Sequence, residues 1–257
     1  MPLLFIGHVS PMNAIEDNVY TGSWKEIGKS LEKPRAILMF SAHWITEWET
    51  RISIGEYPGM IYDMYGFPEE LYRVEYDAPG SPEIAEEIIK ELEITNYTLH
   101  KDKERGLGHG VWSVLIHLFP KADIPVICMS LDYQKSPEWH YDLGKKLRKL
   151  REKDILIIGS GNIVHNLERL DWKGGTKYEW ADEFDKRIIE DIETGNIQDM
   201  IHFQDWWTIV TLAHPTYDHL LPIFPLLGAS DEWDDITFFT PDIVMGSISM
   251  RSIVWYS

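Results

Sequence analysis

Three histidines each follow an apolar run rich in β-branched residues. Leu3-Leu4-Phe5-Ile6 leads into Gly7-His8, Ala36-Ile37-Leu38-Met39-Phe40 into Ser41-Ala42-His43, and Ile155-Leu156-Ile157-Ile158 into Gly159-Ser160-Gly161-Asn162-Ile163-Val164-His165. Others stand among loop residues: His109 between two glycines, and His214 and His219 in Ala213-His214-Pro215-Thr216-Tyr217-Asp218-His219-Leu220. Imidazole is the commonest metal ligand and titrates near neutrality, so such a set suits a divalent metal with a proton acceptor beside it. A lone histidine is more often structural, and His100, His117, His140 and His202, which lack small flanking residues in their helices or loops, are read that way. No spacing matches a local zinc signature, so the chemistry depends on the fold bringing distant residues together.

The elements that must do this are legible as patterns. The runs Leu3–Ile6, Ala36–Phe40, Ile124–Met129 and Ile155–Ile158 do not alternate with polar residues, which predicts strands buried on both faces. Ser81-Pro82-Glu83 opens a helix through Leu92, with Ser as N-cap, Pro at the first position and Ile84, Ile88 and Leu92 at helical spacing. Helical patterns also run through Trp112–Leu118, Tyr141–Leu150 and the acidic Glu179–Glu193. Alternating strands and helices predict a three-layer α/β sandwich with a mostly parallel central sheet, one domain spanning 1–257. The strand-like segments Ile236–Phe239 and Ser247–Trp255 are expected at sheet edges. In open α/β sheets ligands sit at the carboxyl ends of the strands, which is where His8, His43 and His165 fall.

Composition narrows the function. With 42 acidic residues against 24 Lys and Arg, the net charge is −18, a surface that repels nucleic-acid phosphates. One cysteine, Cys128, excludes an intrachain disulfide framework, and its apolar surroundings mark an inert buried thiol. Gly159-Ser160-Gly161 lacks the rest of a dinucleotide fingerprint, and there is no phosphate-binding loop motif. The amino terminus carries no secretion-signal pattern and no apolar run reaches membrane-spanning length, so a soluble, cytoplasmic protein with no membrane partner is expected.

Seven ordered segments carry a resemblance covering nearly the whole chain: Gly7-His8-Val9-Ser10-Pro11-Met12-Asn13, Ser41-Ala42-His43-Trp44, Tyr65-Gly66-Phe67-Pro68, Tyr76-Asp77-Ala78-Pro79-Gly80-Ser81-Pro82, Gly108-His109-Gly110-Val111-Trp112, Gly159–Leu167 and Pro215-Thr216-Tyr217-Asp218-His219. The sequence resembles the aromatic ring-opening dioxygenases of the class III extradiol type, and most of all their 4,5-DOPA dioxygenase subgroup. One departure is Val9, where that subgroup usually has Gly. The resemblance implies that His8, His43 and His219 bind the metal, with His165 as catalytic base and a fourth ligand when zinc occupies the site, and that His109 hydrogen-bonds substrate or the oxygen-derived ligand as a positioned donor. His214 has no counterpart and is assigned to support of the site. The implied cofactor is ferrous iron, with zinc able to occupy the same place, and the implied partners are a small aromatic diol and dioxygen. No Arg or Lys lies inside the matched segments, so a DOPA-like catechol is expected without DOPA itself being singled out. Trp44, Tyr62, Tyr65, Phe67 and Trp112 flank the segments and are expected either to wall a planar ring or to pack the core.

Two other functions fit the same histidines. A zinc-dependent hydrolase would use them to activate water, and a closed four-histidine zinc site would suit a catalytically inactive binding module. Oligomeric state is not encoded in any pattern of the sequence.

Overall fold

A computed structural model describes residues 1–93, 97–206 and 208–257. Its strands are β1 (Leu3–Gly7), β2 (Ala36–Thr46), β3 (Arg51–Ser53), β4 (His100–Asp102), β5 (Val126–Asp132), β6 (Ile155–Gly161), β7 (Asp235–Phe239), β8 (Ile243–Val244), β9 (Ile248–Ser249) and β10 (Ser252–Tyr256). Eight of them form one sheet in the order β4-β3-β5-β2-β6-β1-β10-β7, while β8 and β9 pair separately. The four central strands, β5, β2, β6 and β1, are mutually parallel, and antiparallel pairs flank them at β3–β5, β1–β10 and β10–β7.

The helices are α1 (Val19–Ser30), α2 (Pro82–Glu93), α3 (His109–Leu118), α4 (Pro137–Leu147), α5 (Glu179–Thr194), α6 (Ile197–Ile201), α7 (Thr208–Ala213) and α8 (Ile223–Ala229). Alternate residues of the strands feed two separate cores. Leu3, Phe5, Leu38, Phe40, Ile155 and Ile157 face Ile88, Leu143, Phe184 and Leu226 from α2, α4, α5 and α8. Leu4, Ile6, Ile37, Met39, Leu156 and Ile158 face Trp24 of α1 and Val111, Trp112 and Leu115 of α3. The central strands are therefore apolar on both faces, which explains their unbroken hydrophobic runs, and the architecture is the expected three-layer α/β sandwich.

Some expectations need correction. β7 is a sheet edge, but the Ser247–Trp255 segment divides: β9 joins β8, and β10 lies inside the sheet between β1 and β7. His100 is on β4 rather than in a helix or loop. The helix expected over Tyr141–Leu150 begins at Pro137 and ends at Leu147, where a 3-10 turn (Arg148–Lys153) takes over. The Trp112–Leu118 helix extends back to His109.

Parallel register sets the site. Gly7 pairs with Gly161 across β1 and β6, and Ser41 pairs with Ser160 across β2 and β6. The ends of β1 and β6 thus lie level with Ser41 of β2, which brings His8, His43 and the segment carrying His165 to one end of the sheet. β2 does not stop at Ser41. Its register against β5 shifts between Phe40 and Ile45 and the strand continues to Thr46, so His43 sits inside the strand at an irregularity rather than past its end. An irregularity of this kind re-aims a side chain without ending the strand.

Candidate metal centre

Five imidazoles from five regions of the chain, His8, His43, His109, His165 and His219, meet at this edge. Ring centroids lie 5.1 Å apart for His8 and His43, 3.8 Å for His43 and His109, 5.1 Å for His43 and His219, and 5.5 Å for His8 and His219. His165 stacks on His219 at 3.5 Å with the ring planes 5° from parallel. The Nε2 atoms of His8 and His43 face each other at 3.0 Å. The ligand atoms of His8, His43 and His109 all fall within 4.8 Å of one another, with the His219 ring beside them.

Close approach of backbones permits this convergence. A Cβ on Gly110 would stand 2.6 Å from Ser41 Oγ and 2.9 Å from His43 Cδ2, so only glycine lets the first turn of α3 rest on the end of β2. A Cβ on Gly161 would come within 2.2 Å of the His219 carbonyl oxygen, to which Asn162 N donates at 2.8 Å. His214 is buried beneath the same loop with Nε2 2.6 Å from the Ile163 carbonyl oxygen, and His165 N donates to the Ala213 carbonyl. His214 therefore ties the His165 loop to the His219 loop.

Three of the rings have the second nitrogen occupied. His8 Nδ1 is hydrogen-bonded to Ser160 Oγ at 2.9 Å, His219 Nδ1 to Asp218 Oδ2 at 2.7 Å, and His109 Nδ1 to Asp63 Oδ1 at 2.8 Å. Partners of this kind fix ring orientation and leave Nε2 facing the cluster, as in protein metal sites. Burial, and then the neighbouring imidazoles, hold His8 well below the ordinary histidine range. The same causes bring His43 and His165 down to about 2. These rings are neutral at physiological pH, the form in which imidazole binds a metal. Burial pushes Asp63 and Asp218 up, but the hydrogen bonds from His109 and His219 outweigh it, leaving Asp63 at about 2 and Asp218 well below the usual carboxylate range.

Val9, next to His8, adopts φ 53°, a left-handed conformation that costs a β-branched residue energy and that glycine would enter freely. The departure from glycine noted in the sequence thus falls at a strained backbone position beside the cluster. Trp112 is fully buried in the α1–α3 core and donates its indole N–H to the Ile61 carbonyl, so it packs α3. Trp44 is buried, whereas Tyr65 is almost fully exposed. The four histidines read as structural stay apart from the cluster: His117 contacts the Asn13 carbonyl, His140 the Ser136 carbonyl and His202 the Gln198 carbonyl, and His100 is exposed on β4. Cys128 lies buried mid-strand, its thiol pushed up to about 12 by desolvation.

The model of the family described as the catalytic LigB subunit of aromatic ring-opening dioxygenase matches residues 2–244. This chain belongs to that family. The dioxygenase is 41% identical over 257 residues to the 4,5-DOPA dioxygenase extradiol of Escherichia coli (strain K12), covering 98% of this chain and 94% of the relative. It is 36% identical to the protein of the same description from Beta vulgaris, covering 89% and 86% of the two chains. A solved structure of an uncharacterized Escherichia coli K12 protein superposes with a TM-score of 0.84 at 38% identity over 99% of both chains.

Sequence reasoning passed over three of the dioxygenase's polar supports. Ser160 and Asp218 lie inside the segments that carry the resemblance, without a role assigned from sequence, and the adjacency of Asp218 to His219 was the available signal. Asp63 is 46 positions from His109, and only the fold joins them. Arg105 lies just outside the matched segments. Its guanidinium donates to the His43 carbonyl at 3.0 Å and sits 5.0 Å from the centre of the Trp44 ring. Among the described residues no helix is long and apolar enough to cross a membrane.

Proposed function

We propose that this ring-opening dioxygenase is ferrous-iron dependent and cleaves a DOPA-like catechol beside its diol with dioxygen. The observation that carries the reading is the 3.0 Å approach of two neutral imidazole nitrogens, Nε2 of the fully buried His8 and Nε2 of the half-buried His43. Two nitrogens that each stand about 2.1 Å from one ion are naturally separated by such a distance, so the donor set fits a first-row divalent metal. His8, His43 and His219 would hold it, with His165 stacked close behind His219 and able to join them as a fourth ligand when zinc is bound. Ferrous iron held there would bind the diol and relay electron density from it to dioxygen.

The chain's own groups do the rest. Ser160 and Asp218 hold His8 and His219 with Nε2 inward. His165 receives a phenolic proton on a ring nitrogen, a role suited to a neutral imidazole whose ring nitrogens have no protein hydrogen-bond partner among the described residues. His109 projects from the first turn of α3 toward the same space and hydrogen-bonds the bound diol or oxygen. The names of the Escherichia coli and Beta vulgaris relatives support a catechol amino acid as the substrate class.

The test is anaerobic reconstitution with ferrous iron or zinc, followed by a catechol panel in air-saturated buffer. Formation of a yellow ring-opened product with iron alone is expected. Hydrolase activity with zinc and no oxygen requirement would overturn the reading in favour of water activation, and a site that binds zinc but no catechol would favour an inactive binding module.

A further inference from the structure

A catechol amino acid brings a carboxylate to a site whose own side chains are poor in positive charge. Asp63 and Asp218 are carboxylates beside the histidine cluster, and the chain as a whole carries a net charge of −18. An anionic tail is repelled in such surroundings unless a cation stands locally against it.

Arg105 is a cation that the fold sets beside the cluster. Its Nη2 donates to the His43 carbonyl at 3.0 Å, and its guanidinium lies over the Trp44 ring at 5.0 Å from the ring centre. A Cβ placed on Gly108 would stand 3.3 Å from Arg105 Nη2 and 3.0 Å from Asp63 Oδ2, so the guanidinium borders the residue that precedes His109. The backbone beneath it is fixed. Arg105 N and Glu104 N both donate to Asp102 Oδ1, at 2.9 and 3.0 Å, and Leu107 N donates to the Gly59 carbonyl at 2.9 Å.

Most of the donors on this guanidinium are unused. Arg105 is half-buried and forms no ion pair among the described residues, and its Nε and Nη1 have no protein hydrogen-bond partner there while remaining accessible. Asp63 does not pair with it; its Oδ1 accepts from His109 N at 2.9 Å and stands 2.8 Å from His109 Nδ1. A planar guanidinium fork matches the two oxygens of a carboxylate, and contact with an indole face leaves its edge N–H groups for partners in the plane.

We propose, resting on the reaction and substrate class assigned above, that Arg105 sets specificity in this dioxygenase by binding the carboxylate of a catechol amino acid through its free N–H groups. Because the same guanidinium is anchored on the backbone of His43, a tail seated there fixes the position of the ring relative to that imidazole.

The test compares DOPA, its methyl ester and dopamine, which share the catechol and the amine and differ in the carboxylate. With iron-loaded parent, kcat/KM for DOPA should exceed that for the other two by about 10- to 100-fold, with the difference chiefly in KM. In Arg105→Gln, which keeps a donor for the His43 carbonyl, that ratio should fall to about one at the parent's iron content. If Arg105→Gln does not fold, Arg105→Met, which keeps an apolar stem on Trp44, is read in the same way. A parent that opens all three catechols without favouring DOPA, or a variant that keeps the parent's ratio, would overturn the proposal and leave the reaction standing. A parent that opens none of them would overturn the reaction assignment and the proposal with it.

Discussion

Ser160 Oγ lies 2.9 Å from His8 Nδ1, joining β6, which lies between β2 and β1, to the ring whose other nitrogen faces His43. With Nε2 given to a metal, Nδ1–H would donate to the hydroxyl, and both groups are fully buried. Ser160 belongs to β6, so the sheet itself aims the ring.

Ser160→Ala should therefore weaken metal binding by about 10- to 100-fold, the usual cost of losing a partner behind a ligand. Its effect on stability should be smaller, about 1 kcal/mol for one buried hydrogen bond. Competition against a metal chelator, with urea unfolding of the metal-free protein alongside, separates the two effects.

His165→Ala should keep most of its metal while ring cleavage falls by roughly 10²- to 10⁴-fold, because three other imidazoles remain and the proton acceptor is gone. Metal content and turnover measured on the same preparation check this. Loss of metal in step with activity would make His165 chiefly a ligand.

His140 predicts a pH effect on stability unconnected with catalysis. Its ring is fully buried with Nε2 unpartnered, and burial holds its pKa down at about 4. The unfolded chain takes up this proton first as pH falls through about 6.5, so stability is full above that value and declines toward the folded pKa. Between pH 7 and pH 5 the parent should lose about 2 kcal/mol more than His140→Phe, read from urea denaturation at the two pH values.

Arg151 and Asp234 form a nearly solvent-free bidentate pair at 2.6 and 2.7 Å, and Arg151 also donates to the Met1 and Ala229 carbonyls. Asp234→Ala strands a buried guanidinium and should cost about 3–5 kcal/mol. Replacing both partners by apolar residues should cost less, which thermal and urea unfolding of the single and double variants will show.

The sequence made the central strands plain because Leu3–Ile6, Ala36–Phe40 and Ile155–Ile158 are buried on both faces and carry no polar alternation to confuse them. α1 was harder to read: Gly22, Gly28 and exposed polar residues dilute its pattern, and only Thr21, Trp24 and Ile27 are buried. Its one signal was the Asn18–Thr21 capping box. The histidines were legible because small residues and strand ends surround them. Asp63 was not, because nothing local to Tyr62-Asp63-Met64 marks a carboxylate whose partner is an imidazole on another element. Likewise, the irregularity that keeps His43 within β2 is a property of pairing with β5 and β6, not of the Ser41-Ala42-His43 sequence.

The most direct test of the account is oxygen incorporation during a catechol turnover by iron-loaded protein under ¹⁸O₂. The account predicts that one dioxygen disappears for each ring opened and that the product gains oxygen from the gas. Unlabelled product, or equal activity without oxygen, would contradict it.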